Sequence, residues 1–116
     1  MRNTSSNVKC TRVSSKKSDK VCRCYSDLQL KYLELIEEDD KVVKVELNVK
    51  LSIPSIEESY STDFVLTLDD GIVRIRECVY KKQLARPSAV KLLDLSRNYW
   101  LSKGYSDWGI IINEKE

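Results

Sequence analysis

Asp63 and Glu77 lie in two strand-like runs on either side of an Asp69-Asp70-Gly71 turn. With those three residues as the loop, Thr67 faces Val73, Val65 faces Ile75, and Asp63 faces Glu77. Directly opposed residues share one face of a sheet, with Cβ atoms roughly 5 Å apart. The two carboxylates would then adjoin on a face otherwise made of Val65, Val73, Ile75 and Val79. Neighbouring carboxylates repel, and burial adds to the cost, so one must hold a proton or a cation must sit between them. A divalent ion such as magnesium, shared by oxygens, is one remedy. A shift at the strand end, or separate hydrogen bonds to each acid, is the other.

Four cysteines and no histidine narrow the remaining chemistry. Without histidine, Ser-His and Cys-His catalysis are excluded. Side chains alternate along a strand, so Cys22 and Cys24 share a face. With residues 14–19 as a loop, Cys10 lies nearly opposite Cys22, while Cys78 points away from the Glu77 face. Cys10, Cys22, Cys24 and Cys78 could form a tetrahedral zinc site, or act as small reduced hydrophobes. Residues 1–24 carry seven Lys/Arg against one Asp, and residues 25–70 carry twelve Asp/Glu against four Lys. Lys9, Arg12, Lys16, Lys17, Lys20 and Arg23 therefore suit phosphates or an acidic protein surface. Tyr60, Tyr80 and Tyr105 are candidates for stacking.

These residues need a scaffold, and the chain's 116 residues suffice for one compact domain. Residues 1–7 read as a loose terminus, followed by short strands at 8–13 and 20–25. Ser26 starts a helix as its N-cap, with Gln29 placed to complete a capping box. Leu28, Tyr32, Leu35 and Ile36 follow helical spacing, and the acidic run Glu37 to Asp40 ends the helix. Residues 42–53 alternate as a half-buried strand that Pro54 stops, and a polar loop at 55–61 leads into the hairpin. A second helix runs from Pro87 to a stop at Gly104, with Leu92, Leu93, Leu95, Tyr99 and Trp100 inward. Residues 108–113 form a last strand, apolar enough to be buried on both faces. The pattern predicts an α/β (α+β) fold, a mixed sheet flanked by two helices with an added N-terminal β-hairpin. Residues 1–24 are the basic arm and hairpin, and 25–116 the main body. No apolar run reaches membrane-spanning length and no signal-peptide pattern appears, so a cytoplasmic location without membrane contact is expected.

From about Tyr25 onward the chain resembles the N-terminal catalytic domain of TnsA-type transposon endonucleases, within the PD-(D/E)xK nuclease superfamily. Thr62-Asp63-Phe64, Arg97-x-Tyr99-Trp100 and Asp107-Trp108-Gly109-Ile110 carry the resemblance most specifically. It implies a nuclease-like fold with a metal-binding Glu on the first helix, an Asp on the hairpin's first strand, and Glu-x-Lys or Gln-x-Lys on its second. Carried over, Asp63 and Glu77 are present, the helix Glu falls at Gln29, and the lysine falls at Val79. Lys81, of the same strand parity as Val79, is a possible substitute. With two charged groups replaced, the resemblance implies a protein of a phage or mobile element that binds rather than cuts. Its partner would be nucleic acid or a nucleic-acid-processing complex that it inhibits, a CRISPR effector among them. The alternative it implies is an active magnesium-dependent DNA endonuclease working with a transposase.

Overall fold

The computed structural model describes residues 9–52 and 60–113. Residues 1–7, Pro54 and most of the loop expected at 55–61 lie outside the described residues. The elements follow the expected order: β1 (Thr11–Val13), β2 (Cys22–Cys24), α1 (Asp27–Glu37), β3 (Val42–Lys50), β4 (Ser61–Leu68), β5 (Val73–Val79), α2 (Pro87–Ser102) and β6 (Asp107–Ile112). A short 3-10 helix, Lys81–Ala85, separates β5 from α2. Strands β3 to β6 form one sheet in chain order, antiparallel except for the parallel pair β5–β6, and β1–β2 form a separate hairpin. A parallel pair needs a crossover connection, which α2 supplies. No helix among the described residues is long and apolar enough to cross a membrane.

The turn at 69–71 forms as its residue types require. Gly71 has a φ of 88°, and Leu68 N–H donates to Ile72 C=O at 2.9 Å. That left-handed position suits glycine, which has no Cβ to clash. The register agrees with this turn: Thr67 faces Val73 and Val65 faces Ile75. Alternation then sorts the strands onto two cores. Phe64, Leu66, Leu68, Val45 and Cys78 pack with Leu28, Leu33 and Ile36 of α1. Val65 and Ile75 pack with Trp100 of α2 on the opposite face. The hairpin joins the α1 core through Val13, Cys22 and Cys24.

Several expectations are corrected. In α1 the buried face is Leu28, Gln29, Leu33 and Ile36, and Leu35 is 67% exposed. The helix is thus rotated from the expected phase, because Gln29 is drawn inward by polar partners. In α2 the buried residues are Ala89, Leu93, Ser96 and Trp100, with Leu92, Leu95 and Tyr99 only half-buried. Strand β6 is at the sheet edge, so Ile110 and Ile112 stay exposed where burial on both faces was expected. Cys22 faces Val13 and Cys24 faces Thr11, so Cys10 is not opposite Cys22. Lys81 begins the 3-10 helix beyond the end of β5, so strand alternation no longer relates it to Val79.

Candidate functional site

The β3–β4 ladder runs through Leu47–Phe64 and resumes at Val49–Thr62, stepping over Asn48 and Asp63. Asn48 has a φ of 55°, a left-handed conformation that asparagine tolerates better than most side chains. On the other side of β4, the ladder with β5 reaches Phe64–Arg76, short of the Asp63–Glu77 step. Beyond that point the side chains take over from the ladder. Cys78 N–H donates to Asp63 Oδ2 at 2.7 Å, and Asp63 N–H donates to Glu77 Oε1 at 2.9 Å. Each carboxylate therefore accepts a backbone donor from the strand opposite.

Their other partners lie on opposite faces of the sheet. Gln29 Nε2 in α1 donates to Asp63 Oδ1 at 2.7 Å and to Asn48 Oδ1 at 3.0 Å. Ser96 Oγ in α2 and the Tyr60 hydroxyl donate to Glu77 Oε2 at 2.6 and 3.0 Å. Asp63 and Glu77 are 1% and 0% exposed, which leaves both dependent on these internal donors. Burial pushes the Glu77 carboxyl above its usual range, although the hydroxyls of Ser96, Tyr60 and Thr62 pull the other way. The two carboxylates therefore do not share a face as expected, and separate hydrogen bonds satisfy each of them.

Gln29 explains why an amide occupies the position that the resemblance assigns to Glu. Its Oε1 accepts from Tyr25 N–H at 2.7 Å, while both its donors are spent on Asp63 and Asn48. Ser26 Oγ caps the helix by accepting Gln29 N–H at 3.1 Å, so the side chain enters the sheet from a fixed first turn. A glutamate there would offer Asp63 a second negative charge in place of a donor. A magnesium ion needs several oxygen ligands free to face it. Here an amide nitrogen faces Asp63, and the Glu77 oxygens are held by three protein donors. The residues as arranged do not fit that ion. Val79 is fully buried, so the position assigned to the lysine is packing.

The thiols lie in a different setting. Cys22, Cys24 and Cys78 are buried in the α1 core, and Cys10 is half-exposed. Burial pushes Cys24 up to about 11 and Cys78 up to about 12, which holds both as thiols. Among the described residues, no three Cys, Asp or Glu side chains gather so as to hold a metal ion.

The predicted basic residues divide into three groups. Arg12, Lys20 and Arg23 line a groove of about 970 Å³ between the hairpin and β3, with Lys44 and Lys50 on its strand side. All five are exposed. Asp19 and Glu46 also line it, and Glu46 pairs with Lys44 at 3.4 Å. Lys9 and Lys16 are exposed outside this lining. Lys17 turns inward: its ammonium donates to the carbonyls of Ile36 and Asp39 at 2.6 and 2.7 Å. It caps the end of α1 beside the acidic run, in a structural role that its place in a polar loop did not reveal.

Tyr60, a candidate for stacking, is instead 2% exposed and bound to Glu77. The Tyr80 hydroxyl accepts Leu28 N–H at 3.4 Å, and Tyr105 packs on Trp100. Ser96 and Asn48 were not foreseen. Ser96 falls between Leu93 and Trp100 at helical spacing, a signal that was present; nothing in the local sequence marked Asn48. Asn48 links the cluster to the groove, because its Nδ2 donates to the carbonyl of Arg23 at 2.7 Å. No protein-family model matches this chain, and no curated protein matches it.

Proposed function

We propose that this chain is a non-cutting protein of PD-(D/E)xK type, similar to the N-terminal domain of TnsA-type endonucleases, that binds nucleic acid. One observation carries the loss of cleavage: Gln29, Tyr60, Ser96 and two backbone N–H groups occupy the oxygens of Asp63 and Glu77. Phosphodiester cleavage by a metal requires carboxylate oxygens open to the ion and a cation or donor to stabilise developing charge. Here the oxygens are engaged and Val79 supplies no charge. The exposed cations around the groove support binding in its place. The origin in a phage or mobile element, a cytoplasmic setting and inhibition of a nucleic-acid-processing complex belong to the same proposal.

Nicking of supercoiled plasmid with magnesium or manganese is the test. No cleavage is expected with either ion. Cleavage that Asp63→Ala abolishes would overturn this reading and establish an active endonuclease.

A further inference from the structure

We propose that the groove between the β1–β2 hairpin and the β3 edge binds a single strand of nucleic acid by its phosphates. This rests on the reading that the chain binds nucleic acid, and it names the place and the form of the ligand. The lining residues supply five cations and two acids, one acid already paired with Lys44. The surplus favours a polyanion. The cations stand on both walls: Arg12, Lys20 and Arg23 on the hairpin side, Lys44 and Lys50 on the strand. Lys44 and Lys50 stand toward the two ends of that strand wall, with the left-handed Asn48 between them. Cations at both ends suit an extended chain of several phosphates.

Size selects the single strand. A space of about 970 Å³ is that of a small-ligand cleft. A duplex, whose major groove alone is about 12 Å wide, could rest only on the rim. A single strand can enter and bring its phosphates to the cations of both walls. The walls are held in register from within the fold. Lys17 C=O accepts Val45 N–H at 2.9 Å, and Asn48 holds the Arg23 carbonyl. The network around Asp63 thereby fixes the hairpin against β3.

The experiment measures anisotropy of labelled oligothymidylate, oligouridylate and a duplex of equal length over a salt series, with polyglutamate as competitor. Either single strand should bind at least about tenfold tighter than the duplex, with a salt slope of about −0.7 for each phosphate neutralised. Arg23→Gln with Lys50→Gln should flatten that slope by about 1.4 and leave the melting temperature unchanged, because both side chains are exposed. Lys91→Gln with Arg97→Gln, exposed on α2, should leave the slope as in wild type. Binding unaffected by the groove pair, or equal affinity for duplex, would overturn the groove assignment while keeping nucleic-acid binding. Polyglutamate binding tighter than either strand would overturn it in favour of an acidic protein partner. Wild-type protein that binds no nucleic acid would overturn the proposed function itself.

Discussion

At the scale of residues, two buried acids are kept apart by what each can accept. Asp63 takes an amide from α1 and Glu77 takes two hydroxyls, and each also takes a backbone N–H across the gap. The direction of the Glu77 shift sets the outcome for pH. Burial raises its folded-state value, so the folded protein holds this proton more tightly than the unfolded chain. Its contribution to stability is full below the ordinary carboxyl range and is lost as pH rises above it. Glu77→Gln keeps the shape and removes the charge, with Ser96 and Tyr60 able to reverse their hydroxyls. Its stability at neutral pH should therefore equal or exceed that of wild type. Melting temperatures across a pH series check this: the difference should move in the variant's favour from acid to neutral. Movement in the opposite direction would mean that the ionised Glu77 is the stabilising form.

Among the elements, α1 is fixed at both ends by parts of the chain distant from it. Ser26 and Gln29 close its first turn, and Lys17, from the hairpin loop, closes its last. A cation at a helix C-terminus opposes the partial negative charge there, and the acidic residues Glu37 to Asp40 add to the need for one. Replacing Lys17 by methionine keeps the aliphatic stem and should cost about 2 kcal/mol, the worth of a charge-assisted bond to the backbone. Lys16→Met, one residue away and exposed, should cost under about 0.5 kcal/mol. Urea unfolding of the two variants separates the roles, and equal losses would show that Lys17 is no cap. The sequence made the eight main elements legible, because helical and strand periods differ and Asp-Asp-Gly fixes a turn. It also made legible that Asp63 and Glu77 meet near the hairpin's open end. The side on which each finds its donors was not legible, because that depends on the left-handed Asn48 and the interrupted ladders. Lys17 was hidden for a similar reason: its partners are backbone carbonyls, which carry no side-chain signature.

For the whole molecule, the hairpin is the part whose status matters most. Its positive charge sets it apart from the acidic segment at 25–70, yet its inner face belongs to the main core. Val13, Cys22 and Cys24 cover the same cluster as Leu28, Leu33, Val45 and Phe64. Its backbone and side chains also hold Val45, Asn48 and the end of α1. Small domains gain their stability from one shared core and unfold as a unit. A chain beginning at Tyr25 would expose that core and lose the cap on α1 together. Exposing side chains such as Leu33 and Val45 costs about 1.5 to 3 kcal/mol each, a large part of an ordinary domain's stability of about 5 to 15 kcal/mol. The truncated protein should show no cooperative thermal transition by circular dichroism, whereas the full chain should show a single one. Wild-type melting by the truncated chain would make the hairpin a separable arm. If the full chain melts in one step, the basic groove is inseparable from the main body. Its role in binding must then be tested by point substitutions on its exposed walls, since deletion would remove the fold along with the site.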